Sequence, residues 1–170
     1  RFSDTDLTPI LLGLYGEIGS VMSTTKKFRR EKKAYIGYKE AVEEEFGDAL
    51  WYFSAICRRL GYKLSDMFSA AFDNTDLKTL SASSDSNAPL SQTITLSQTE
   101  SVDNTLIELG AITAELLRIE TNSLELPDVL IKFARIYIQS IQAIELSFAR
   151  IANNNLHKAL GRFNLPELSS

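Results

Sequence analysis

The chain has 170 residues, 44% of them hydrophobic and 24% charged, with a formal net charge of −4. That suits one globular domain with a real core, or two small fused units, and gives no general basic character with which to argue for nucleic acid. The single cysteine, Cys57, rules out an intrachain disulfide framework and fits a reducing, cytoplasmic compartment; no apolar run is long enough to span a bilayer, and no signal peptide is visible.

Helix signals dominate. Thr8-Pro9 reads as a helix start, a hydroxyl cap followed by proline at the first helical position. Leu11, Leu14, Ile18, Val21 and Met22 continue it as an apolar stripe to about Arg30. Ala34 to Tyr38, with Gly37, reads as a turn. A second helix is predicted from about Lys39 to Leu60, with Val42, Phe46, Leu50, Phe53 and Cys57 on one face and Gly61 as its stop. A third runs from Leu64, capped by Ser65, to about Phe72.

The texture then changes. Ten of the 24 residues from Ser81 to Asn104 are Ser or Thr, which reads as a linker or long loop. Thr105 and Glu108 form a capping-box pair ahead of Leu106, Leu109, Ile112, Leu116 and Leu117. Pro127 opens a long helix carrying Val129, Leu130, Phe133, Ile136, Tyr137, Ile141 and Ile144, which breaks near Ser147 and resumes from Phe148.

The two halves resemble each other. "LYGEIGSVM" from Leu14 parallels "LIELGAITA" from Leu106, "WYFSAI" parallels "IYIQSI", and both long helices lead to a Leu-Ser pair, Leu64-Ser65 and Leu146-Ser147. The predicted fold is therefore all-α: a bundle of about five to six helices in two degenerate repeats, residues 7–80 and 105–163, joined by residues 81–104.

The acidic residues carry the chemistry. Glu45 and Asp48 are three apart in "VEEEFGDALWY", which stacks them one turn apart on a single helix face. Glu17 lies on the preceding helix beside Gly13, Gly16 and Gly19, small residues that allow another helix or a ligand to approach closely. Packed antiparallel, the two helices bring Glu17, Glu45 and Asp48 together. Three half-buried carboxylates repel one another unless a cation sits among them, and hard oxygen ligands suit Mg²⁺ or Mn²⁺. Six Lys or Arg lie within the eight positions Lys26 to Lys33. Lys26, Lys27 and Arg30 are candidates to hold a polyphosphate, and the bland alternative for both features is a solvated charged face.

"GEIGS…KK" followed by "EEFGDALWY" resembles the MazG-like, all-α nucleoside triphosphate pyrophosphohydrolases, relatives of the dimeric dUTPases, whose hallmark is Glu-x-x-Glu on one helix and Glu-x-x-Asp on the next. "IANNNLHKALGRF" resembles the family's Ala-x-x-Asn-Leu-x-Lys ending. The resemblance implies Mg²⁺-dependent hydrolysis of a nucleoside triphosphate to the monophosphate and pyrophosphate, in nucleotide-pool house-cleaning, by a homodimer that engages neither nucleic acid nor membrane. It implies Glu17, Glu45 and Asp48 as metal ligands and Asn155, Lys158 and, more loosely, Arg162 as substrate contacts. Glu44 or Glu45 would orient the attacking water. One departure stands out: Ser20 occupies the place of the second Glu, so that either Glu44 or a substrate phosphate makes up the loss, or metal affinity is reduced, or the chain is an inactive relative. In the second half Glu108 remains, but Leu130 and Phe133 fall where acids are expected, which implies one site per chain. The alternative is a non-catalytic, partner-binding helical bundle.

Overall fold

The computed structural model describes residues 6–72 and 101–162. Within them the chain is helical, with no strand among the described residues. The helices are α1 (Thr8–Glu31), α2 (Tyr38–Arg59), α3 (Leu64–Ala71), α4 (Val102–Arg118), α5 (Leu126–Ala143) and α6 (Phe148–Arg162), with a 3₁₀ turn at Lys32–Ala34 between the first two. Most of the proposed linker lies outside the described residues.

The predicted apolar stripes form the core. Leu14, Ile18 and Val21 of α1 meet Val42, Phe46, Ala49 and Phe53 of α2, all almost fully buried. Leu106, Leu109, Ile112 and Leu116 of α4 pair in the same way with Leu130, Phe133, Tyr137 and Ile141 of α5. Burying each such side chain contributes about 1.5–3 kcal/mol, so the two helical hairpins are held chiefly by these faces. Aromatic contacts join them: Phe53 lies 4.5 Å from Phe133 between ring centres, and Phe46 meets Tyr137 edge-on at 5.4 Å. Tyr137 is wholly buried, and its hydroxyl donates to the Phe46 carbonyl at 2.7 Å, so its polar end is satisfied.

The packing order is internally matched. α1 packs on α2 as α4 packs on α5, α1 meets α4, and α3 lies on α5 as α6 lies on α2. α2 and α5 end alike. Gly61 (φ 81°) and Glu145 (φ 60°) adopt left-handed conformations, and the next amides, of Tyr62 and Leu146, bond back to the carbonyls of Cys57 and Ile141 at 2.8 and 2.9 Å.

Three caps differ from the sequence reading. Leu7, not Thr8, is the N-cap of α1, because Asp6 Oδ1 already accepts the Thr8 amide at 2.9 Å. α3 is capped at Lys63 without a side-chain bond, and the Ser65 hydroxyl turns to Asp66. The cap of α4 lies four residues earlier than expected, because Ser101 accepts the Asn104 amide; Thr105 is a buried helical residue whose hydroxyl donates to the Val102 carbonyl. In each case a nearby side chain or backbone group reaches the exposed amide first, which periodicity does not reveal.

α6 rests on α2. Phe148 lies 5.4 Å from Phe68, Ile151 is buried, and Arg150 Nε donates to Glu43 at 2.7 Å with a second, closer bond from its Nη2. The Glu43 side chain is 6% exposed and that of Arg150 55%, so removing the arginine strands a buried carboxylate. Arg150→Met is expected to lower stability by about 2 kcal/mol, below the fully buried range because Arg150 is half in water. The Arg150→Met/Glu43→Met double variant should recover most of that loss. Urea midpoints check this, and a double variant no more stable than Arg150→Met contradicts a buried pair.

Candidate active site

Three helices meet at a cleft of about 340 Å³ lined by Glu17 of α1, by Asp48, Trp51 and Tyr52 of α2, and by Asn155, Lys158 and Ala159 of α6. Two close approaches shape it. Tyr52 lies across Gly13, where an added methyl carbon would meet the ring at 2.3 Å. Asn155 lies across Gly47, where a methyl carbon would sit 3.3 Å from its Cβ and Nδ2. Gly47 therefore lets α6 bring Asn155 down beside Asp48. Gly16 and Gly19 face open space, so the close approach expected along the glycines of α1 occurs at Gly13 alone.

The consecutive residues Glu43, Glu44 and Glu45 point in three directions, as about 100° per residue requires. Glu43 is buried against Arg150. Glu44 is exposed and accepts from Lys158 Nζ at 2.8 Å. Glu45 turns toward Glu17 of α1. Burial, then the Glu17 carboxyl beside it, then the charges of Glu44 and Asp48 push the Glu45 carboxyl up to about 7.

Asp48 is engaged differently. Its Oδ1 accepts from Asn155 Nδ2 at 3.1 Å and its Oδ2 from Lys158 Nζ at 2.7 Å. Partial burial of Lys158 pulls its ammonium down, but the bonds and charges of Asp48 and Glu44 outweigh that and leave its pKa raised.

The sequence candidates thus divide. Glu17 and Glu45 come together, and Asp48, Asn155, Lys158 and Glu44 form a polar clamp beside them. Ser20 is half-buried one turn beyond Glu17. Lys26, Lys27 and Arg30 do not line the cleft. Lys26 is nine residues past Glu17, about 13.5 Å along α1 and half a turn around it. The Lys27 ammonium sits 4.5 Å over the Tyr35 ring and Arg30 pairs with Glu31 at 2.7 Å, while Arg29 reaches Asp103 of α4 at 2.6 Å. Arg162 closes α6, and its side chain lies outside the described residues. His157 is exposed. Cys57 is buried, its thiol pushed up to about 12 by that burial, which suits packing and not nucleophilic attack. Sequence reasoning missed Glu43, Arg150 and the role of Gly47. A buried position on the α2 face was the signal for Glu43; nothing local marks Arg150 as its partner.

The hard oxygens of Glu17 and Glu45 fit a divalent cation in chemical type, and the raised Glu45 carboxyl marks a place short of positive charge. The disposition of the third acid does not fit. Both Asp48 oxygens face donors on α6, and no three Asp, Glu, His or Cys side chains among the described residues stand as a ready metal cage. No helix among them is long and apolar enough to cross a membrane. Comparison of the chain with protein-family models, with curated proteins and with solved structures finds no match.

The Glu45 shift has a defined sign. Its folded pKa of about 7 lies above the ordinary glutamate value of 4.5, so its contribution to stability is fully present below about 4.5 and lost as pH rises through 7. In EDTA, Glu45→Gln should raise stability at pH 8 by about 1 kcal/mol, discounted for partial solvent exposure, and change little at pH 4. Thermal melts across that range check it, and an equal effect at both ends contradicts the raised Glu45 carboxyl.

Proposed function

We propose that the chain is a divalent-cation-dependent nucleoside triphosphate pyrophosphohydrolase of the MazG-like kind, serving nucleotide-pool house-cleaning. The observation that carries this reading is the meeting, at one cleft, of the three segments on which the resemblance rests: Glu17 of α1, Asp48 of α2, and Asn155 and Lys158 of α6 line it, and Glu45 of α2 neighbours Glu17. Lys26, Lys27 and Arg30 lie away from that cleft and have no part in the reading.

Mg²⁺ or Mn²⁺, when bound by Glu17, Glu45 and Asp48, would stabilise charge on the attacked phosphorus. The chain's own groups do the rest. Glu45, once ionised, orients a water and takes its proton as the water oxygen bonds to the α-phosphorus. The bond from that phosphorus to the α,β-bridging oxygen breaks, and the products are the monophosphate and pyrophosphate. Lys158 and Asn155 donate to phosphate oxygens, and Trp51, 43% exposed at the cleft, offers a flat wall to a base. Leu12 and Tyr15 are exposed beside the open Gly16 and Gly19, which supports a second copy as partner on that face of α1.

A non-catalytic, partner-binding bundle is the second reading. Ser20 in the place of an acid and the engagement of Asp48 by Lys158 and Asn155 favour it.

Pyrophosphate release across common and modified triphosphates, with Mg²⁺ and with Mn²⁺, tests the first reading. Asp48→Asn should cut the rate about a hundredfold or more while the thermal midpoint stays close to that of the unmutated protein. Release at the unmutated rate from Asp48→Asn ends the assignment.

A further inference from the structure

The cleft already contains a cation, the Lys158 ammonium. It lies 2.7 Å from Asp48 Oδ2 and 2.8 Å from Glu44 Oε1, and Asn155 takes the other Asp48 oxygen at 3.1 Å. Asp48 is thereby neutralised from within the chain. A divalent ion placed on Asp48 as the side chains stand would meet the ammonium at close range, and like charges in a half-buried cleft repel strongly.

The helix that carries this lysine is held unevenly. Its first turns are fixed by Phe148 on Phe68, by Ile151 in the core and by the Arg150–Glu43 pair. From Asn153 to Gly161 no residue is buried, Leu156 is 57% exposed, and Asn155 and Lys158 reach α2 through polar bonds. Segments with few buried apolar contacts open at low free-energy cost.

We propose that Lys158 is the resident cation of this site, and that a divalent ion gains Asp48 only by displacing it together with the C-terminal half of α6. This rests on the metal-dependent reading of the cleft and deepens it. Once displaced, the ammonium is available to an anionic oxygen of the ligand, so that cation loading and polyphosphate binding become one event. The mismatch between the acidic donor set and its present geometry is then a latch: α6 closed on Asp48 holds the site in a form that does not bind the ion.

Mn²⁺ is the probe. Its binding is measured by calorimetry at pH 7.5 for the unmutated chain, Lys158→Met and Lys158→Arg, and amide hydrogen exchange of residues 153–161 is followed with and without the ion. Lys158→Met should bind Mn²⁺ about tenfold more tightly, the scale of losing one charge-assisted competitor, while Lys158→Arg keeps the competing charge and stays close to the unmutated affinity. Mn²⁺ should also speed exchange in residues 153–161 of the unmutated chain. Equal or weaker Mn²⁺ binding by Lys158→Met, or exchange in α6 that the ion leaves unchanged, overturns the latch and leaves the metal site standing. Failure of all three proteins to bind Mn²⁺ overturns both the latch and the hydrolase reading.

Discussion

Two apolar stripes, Leu14–Ile18–Val21 on α1 and Val42–Phe46–Ala49–Phe53 on α2, leave water by packing against each other, and that contact fixes the chemistry at its edge. Once those faces meet, the residues one step around each helix have no freedom to avoid one another. Glu45 is brought beside Glu17, and burial together with that neighbour pushes its carboxyl up to about 7. Two carboxyl groups side by side are unfavourable, and the buried faces of the hairpin offset that cost several times over. Core packing here stabilises a polar arrangement that would not form by itself.

The second half of the chain completes the cleft from outside the hairpin. α4 and α5 bury their own stripes and meet the first pair through Phe53, Phe133, Phe46 and Tyr137. α6 then returns across α2, anchored by Arg150 on Glu43 and admitted by the missing side chain at Gly47. Its polar residues Asn155 and Lys158 reach Asp48 as a consequence. The anchor is strong at the start of the helix and weak at its end, so the part of α6 that touches the acids is the part least held by the core.

Helix identity, core faces and the i, i+3 placement of Glu45 and Asp48 were legible in the sequence, because the 3.6-residue period of burial leaves a direct imprint on residue type. Asn155 and Lys158 were legible through the resemblance, and the structure brings both to Asp48. The basic run is dense enough to suggest a phosphate cradle, but it does not line the cleft: Lys26 lies about half a turn around α1 from Glu17, and Arg29 is paired with Asp103 on α4. Helical rotation separates residues that are close in sequence.

What the sequence determined by itself is the all-α class, the faces that must be buried and the pair of acidic residues stacked on α2, since all three depend on local periodicity. What only the tertiary structure decided is the fate of each acid. Glu43, Glu44 and Glu45 are identical in type and adjacent in the chain, yet one is buried against Arg150, one pairs in solvent with Lys158 and one turns to Glu17. That division depends on which neighbouring helix lies along each direction of α2, and the partners come from residues more than 25 positions before and more than 100 after it.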